Sequence, residues 1–471
     1  MLLCGILLVG IVLLFSFIFQ YHKCNYNAES EKLGYAICMK ENTYENTEWK
    51  QVAEVLEKKY QELYDVKIFL YKDFVSELKE KLSQFMPRYV CFVMSPEDIA
   101  SYRGFVSVVH EMLRELDNDP YGDAIWGIIT GYDVEDAIKM AKYDKPLILE
   151  KVLSGCGAAF FQYFCEGKGF DETRQGIGYI KTKDGGIEEC KVSPDATEEI
   201  VKEINSNQYD FIVTSGHATQ HDWQIGYTFK SGQFRHREGQ LFGWDTNGNK
   251  YNINSTNPKV YFGVGNCLIA QVDDKDCMVT SWIHSGGVYQ FYGYTVPTWY
   301  GFSGWKVPWF FMDHGNYLTF SESVFLTNQI LIAHLVQKTP EVINNSQHLK
   351  GHLYDRDACV LYGDPALEVR MSEECKKAAL FEPFLEITPV EWKKKEYRIT
   401  FKVTVKRDFE VDPTGADAVA TLFPFKVKQV KEVKTSENVV PIITDDFVLL
   451  QLKGKVKKGE IKEISFIASK R

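Results

Sequence analysis

A chain of 471 residues with 45% hydrophobic and 25% charged side chains has an ordinary globular composition and is long enough for about two to four domains. Its formal charge of −10 is uneven: from Lys376 onward 20 Lys and Arg stand against 14 Asp and Glu, which leaves −16 on residues 1–375. An acidic first part of that size argues against a nucleic-acid partner and favours, weakly, cationic peptides.

Residues 2–19 are apolar apart from Ser16, and as a helix they would be about 27 Å long, close to bilayer thickness. No Lys or Arg precedes the run and no Ala-x-Ala site follows it; Tyr21-His-Lys-Cys24 lacks the small residues of a lipoprotein site. These absences predict an uncleaved transmembrane helix over residues 1–22. The expectation is a single-pass, membrane-anchored protein with its main body outside the cytoplasm.

Apolar residues at helical spacing (Val52, Val55, Leu56, Tyr60, Leu63) predict a helix over 47–64, followed by a strand at 66–71, a helix at 76–85 and a strand at 88–94. This rhythm implies a parallel sheet, in a first α/β subdomain over 45–140 and a second over 141–372. Beyond the charged break Glu373-Glu-Cys-Lys-Lys377, period-two runs at 397–405, 418–423 and 447–452 alternate with turn residues. They predict an all-β sandwich over 378–471, with its lysine excess on a solvated face or meeting the acidic part. Eleven cysteines include no Cys-x-x-Cys motif. Pairing of Cys156 with Cys165, or of Cys24 with Cys38, and a mostly reduced set are equally open.

Two apolar runs end on reactive side chains: Tyr209-Asp-Phe-Ile-Val-Thr-Ser-Gly-His217 and Val260-Tyr-Phe-Gly-Val-Gly-Asn-Cys267. Read as buried parallel strands, they deliver an imidazole and a thiol to one sheet edge, where open α/β sheets collect function. A free thiol titrates near pH 8.5, so attack at neutral pH needs a basic neighbour. Gly265 and Asn266 suit a sharp turn whose N–H groups point at a developing oxyanion, and Ala218 offers another N–H after His217. On these residues alone, Cys267 as a small buried hydrophobe is the competing reading. His221, four residues past His217, is a rival base, a metal ligand or a water-facing side chain.

The chain resembles the gingipain-like cysteine peptidases, which have a caspase-type fold. Besides the Ser-Gly-His and Cys blocks, the segment from Tyr121 to Ala137, Ser285-Gly-Gly-Val-Tyr-Gln-Phe-Tyr-Gly-Tyr-Thr295 and Leu361-Tyr-Gly-Asp-Pro-Ala-Leu367 follow in the family's order over residues 45–370. The resemblance implies an endopeptidase acting on protein or peptide substrates through Cys267 and His217, and an immunoglobulin-like final domain. It suggests an acid upstream of the His strand, for which Glu166 is the choice with Asp171 close behind, and a specificity-pocket wall after Cys267, with Trp299 as candidate. No metal is needed for the chemistry, and a structural calcium is allowed. Two features depart from the pattern: Ala218 replaces the usual Gly, and 50 residues separate His217 from Cys267. That interval reads as an inserted loop or hairpin shaping access. Gly and Pro in the aromatic stretch 289–311 are expected to exclude a long helix there. A catalytically silent, membrane-anchored binding or assembly module is the alternative function.

Overall fold

The structure is a computed structural model that describes residues 32–298, 301–375, 378–393, 395–411 and 417–471. The expected anchor at 1–22 and Trp299 lie outside the described residues, among which no helix is long and apolar enough to cross a membrane.

One twelve-stranded sheet runs through both predicted α/β parts. In chain order its region contains β1 (Gly34–Lys40), β2 (Asp65–Tyr71), β3 (Tyr89–Val93), β4 (Ile125–Ile129), β5 (Leu147–Leu149), β6 (Lys151–Ser154), β7 (Glu166–Phe170), β8 (Ile177–Lys181), β9 (Ile187–Lys191) and β10 (Phe211–Thr214). There follow β11 (Asp222–Gln224), β12 (Gln233–Arg237), β13 (Gln240–Trp244), β14 (Lys250–Asn252), β15 (Lys259–Gly263), β16 (Val288–Tyr294), β17 (Cys359–Tyr362) and β18 (Val369–Met371). The large sheet has the order β2-β1-β3-β4-β17-β16-β15-β10-β6-β7-β8-β9. It is parallel except between β16 and β17 and along the β7-β8-β9 edge. Because β17 is parallel to β4 and antiparallel to β16, the strands of the first half run opposite to those of the second.

The predicted strands at 66–71 and 88–94 are β2 and β3, and the helix from 47 ends at Tyr60. β1, buried along Tyr35, Ala36, Ile37, Cys38 and Met39 and lying between β2 and β3, was not expected. The inserted stretch between His217 and Cys267 is more than a hairpin: β11 to β14 form a four-stranded antiparallel sheet.

A second correction concerns the aromatic stretch, where residues Phe302–Asp313 form a helix despite Gly304 and Pro308. Pro308 removes one N–H from the helix ladder, a cost offset here by burial of Phe302, Val307, Phe310 and Phe311. Gly304 is required by a close approach, since a Cβ there would lie 1.6 Å from the Val264 carbonyl oxygen. The helix thereby rests on the backbone leading to Cys267.

The C-terminal part is the expected β-sandwich. Strands Phe381–Pro389, Glu396–Val405, Ile461–Lys470 and Val427–Thr435 face Ala418–Leu422, Phe447–Leu452 and Val439–Ile443. Ile387, Ile399, Phe401, Val419, Val448, Leu450, Ile464 and Phe466 fill the space between them. Ala418, Ala420, Leu422, Phe447 and Leu449 join the core of the α/β part instead. The two parts thus meet mainly through apolar packing, including Phe447 against Tyr121 and Phe325 at 5.7 and 5.9 Å. The lysines of Val427–Thr435 lie exposed on an edge strand, where charge discourages further strand pairing. Cys165 pairs with Cys375, so Cys156 does not bridge to it; Cys156 and Cys38 are buried free thiols among the described residues, and Cys24 lies outside them.

Candidate functional site

The strands β10 and β15 are adjacent and parallel, with Thr214 opposite Gly263. After Thr214 the chain turns through Gly216, whose φ of +89° suits glycine, and delivers His217. After Gly263 it passes Gly265 and the fully buried Asn266 to Cys267. Leu268, next after Cys267, adopts φ +58°, a left-handed conformation that side-chain-bearing residues hold only when their surroundings enforce it. The Leu268 N–H donates to the Val296 carbonyl at 3.1 Å, and its carbonyl accepts from the Gln271 N–H at 2.8 Å.

Asn266 ties the two loops together. Its Oδ1 accepts from Thr214 Oγ1 at 2.8 Å, and its Nδ2 donates to the Gly216 carbonyl at 3.2 Å. The Val264 N–H donates to the Thr214 carbonyl at 2.9 Å. The residue before Cys267 therefore holds the residue before His217. The His217 ring is exposed and stacks on Tyr227 at a centroid distance of 5.0 Å. Cys267 is partly exposed, and its Sγ accepts from the Thr298 N–H at 3.2 Å. No hydrogen bond joins His217 to Cys267 among the described residues; such contacts commonly tighten only with substrate bound.

The turn after His217 continues through Ala218, which is buried. A bridge to Trp223 uses the Thr219 N–H and the His217 carbonyl, and the N–H groups of Ala218 and Cys267 have no acceptor among the described residues. Trp223, buried against Gly155, donates its indole N–H to the Ser215 carbonyl at 2.7 Å. The inserted sheet thus props the His217 turn from behind.

Glu166 does not reach this place. It begins β7 opposite Lys151, its ion-pair partner at 3.0 Å, and the register of β6 with β10 puts it level with Asp210. From there to Thr214 is four residues of strand, about 13 Å. Asp171 is engaged with Thr173, Arg174 and Tyr179. The acid at the His217 turn is Glu172, which the sequence reading passed over: its carboxylate accepts from Ser215 Oγ, and its carbonyl accepts from the Tyr227 N–H at 2.6 Å. Burial pushes its carboxyl above the usual range, opposed by the Ser215 bond. The only pointer in the sequence was its place beside Asp171.

His221 sits in a chain of contacts behind the turn. Its Nδ1 lies 3.2 Å from His236 Nε2, its Nε2 is 3.1 Å from Asp273, and His236 Nδ1 is 3.0 Å from Asp276. Asp276 also accepts from the Glu238 and Gly239 N–H groups, so this chain fastens the inserted sheet to the loop after Cys267. Near Cys267 the indole of Trp305 approaches Gly265, and Phe160 packs on Trp305 and Trp309 at 6.2 and 4.8 Å.

Comparison with known sequences matches residues 167–370 to Peptidase family C25, the gingipain family. The matched stretch contains both His217 and Cys267. No curated protein and no solved structure matches the chain.

Proposed function

We propose that this gingipain-like cysteine peptidase is an endopeptidase that uses Cys267 as nucleophile and His217 as general base and acid. The observation that carries the reading is the Thr214–Asn266–Gly216 connection, which fixes the two reactive residues on turns held one against the other. His217 takes the thiol proton, and Cys267 Sγ attacks the scissile carbonyl carbon. The resulting oxyanion is held by the Ala218 and Cys267 N–H groups. The tetrahedral adduct collapses to a thioester as His217 passes its proton to the leaving amine. Water, deprotonated by His217, then attacks the thioester, and the thiol is regenerated with release of the carboxylic acid.

Glu172 serves as a positioning residue, since it braces Ser215 by its side chain and Tyr227, the ring stacked on His217, by its backbone. The chemistry requires no metal. Attachment to a membrane by residues 1–22, with the catalytic part outside the cytoplasm, is supported by the apolar N-terminal run and by the Cys165–Cys375 bridge, which suits an oxidising compartment. The acidic charge of residues 1–375 disfavours nucleic acid as a partner.

The test is cleavage of a fluorogenic peptide library by the full chain in detergent. Turnover lost in both Cys267→Ala and His217→Ala is the expected result. Undiminished turnover in either variant would overturn the assignment.

A further inference from the structure

The N–H that Cys267 Sγ accepts comes from Thr298, in the loop between β16 and the helix Phe302–Asp313. That loop is held by a segment just before β17. Where it begins, the Thr295 N–H and Oγ1 both donate to the Ala358 carbonyl, at 2.9 and 3.1 Å. Where it ends, the Ser303 N–H donates to Asp355 Oδ2 at 2.6 Å, and the same oxygen accepts from the Tyr294 hydroxyl at 3.0 Å. Asp355 is fully buried, so both ends of the loop are fixed to one short stretch of chain.

The third hold is in the middle. Tyr354, in the last turn of the helix Gln347–Asp355, donates its hydroxyl to the Pro297 carbonyl at 2.9 Å. That carbonyl and the Thr298 N–H belong to one peptide unit, whose resonance couples them. A donor on the oxygen therefore makes the N–H a stronger donor, and hydrogen bonds linked in this way strengthen one another by about 10–30% each. An N–H aimed at a sulfur favours the charged form of that sulfur. Burial pushes the Tyr354 hydroxyl above its ordinary range, with Asp355 and Cys267 adding to it, so the hydroxyl stays protonated and able to donate.

We infer that Tyr354 is a positioning residue for the nucleophile: through the Pro297–Thr298 peptide it aims and strengthens the N–H donated to Cys267 Sγ. The inference rests on the peptidase reading for its role in turnover, while the effect on the sulfur is measured without turnover. A hold that merely kept the loop in place would act alike at every pH. A hold that supports the thiolate matters only where the thiol has still to ionise.

The experiment measures alkylation of Cys267 by iodoacetamide in the full chain in detergent, at pH 6 and at pH 9.5, with peptide mapping to read each thiol separately. Tyr354→Phe removes only the hydroxyl. The expected result is labelling about 3-fold slower than wild type at pH 6, where the rate follows the fraction of thiolate, and no slower at pH 9.5. The partly exposed Cys190 is the internal reference and should label at the wild-type rate at both pH values. The difference at pH 6 should persist in the His217→Ala background, because the hold acts on the sulfur and not through the imidazole. Tyr354→Leu, which loses the ring as well, should match Tyr354→Phe, and thermal unfolding monitors the folding of both. Equal rates at pH 6 would overturn the inference, and so would an equal loss at both pH values. Failure of the peptidase reading would show separately, as a wild-type chain that alkylates with this pH dependence and cleaves no peptide.

Discussion

The strands β10 and β15 carry polar groups at both ends, and the two ends are finished differently. At the amino end, Asp210 accepts from the N–H groups of Glu150 and Lys151 at 3.0–3.2 Å. Lys259, 1% exposed, gives its three N–H groups to Ser255 Oγ, the Asn257 carbonyl and the Gly286 carbonyl. At the carboxyl end, His217 stands exposed on a tyrosine face, and Cys267 receives a single N–H. One end spends its hydrogen-bonding capacity on the fold, and the other leaves capacity that the proposed reaction would use. A charged residue at a strand end therefore indicates chemistry only after its own partners have been counted.

The largest contrast is in activity. Cys267→Ala and His217→Ala should each lower kcat/KM at least about 1000-fold, worth about 4 kcal/mol of transition-state stabilisation, with Tm nearly unchanged. A comparable fall in Tm would erase the distinction between the two ends. Next comes Asp210, whose carboxyl burial pushes up to about 7 against the pull of the Glu150 and Lys151 N–H groups. Its folded value lies above the unfolded value of about 3.9, so its stabilising contribution is full below about pH 4 and is lost as pH rises through about 7. The loss is up to about 4 kcal/mol, and denaturant titrations at pH 4.5 and 7.5 should show the slope flattened in Asp210→Asn.

Lys259→Met leaves three acceptors at the amino end without their donor and should cost about 3 kcal/mol in denaturant unfolding, with kcat of the folded fraction kept. A drop in kcat without a drop in stability would make Lys259 part of the chemistry. The smallest effect sharpens the carboxyl end: Glu172→Gln should lower kcat about 10-fold, about 1.4 kcal/mol, while KM holds. A rise in KM alone would move Glu172 from bracing the turn to binding substrate.

Much of this was legible in the sequence because the apolar runs of β10 and β15 are short, β-rich and bounded by glycine. What failed was information carried by distant neighbours. Glu166 and Glu172 look alike in a strand-and-loop reading; only the sheet register puts one beside Lys151 and the other beneath Ser215. The helix Phe302–Asp313 was hidden because Gly304 and Pro308 oppose it locally, while the Val264 backbone and buried rings favour it. β1 was missed since a strand covered on both faces shows no alternation and reads Gly-Tyr-Ala-Ile-Cys-Met-Lys. The Cys165–Cys375 bridge spans 210 residues and follows from docking that local pattern does not encode.

The most direct test of the central claim is intact-mass labelling of the full chain with a peptidyl acyloxymethyl ketone, with peptide mapping of the modified residue. The account predicts one adduct, at Cys267, formed fast in the wild type and at least about 100-fold more slowly in His217→Ala, where no base activates the thiol. Labelling at Cys267 no faster than at the partly exposed Cys190, or unchanged by loss of His217, would contradict it.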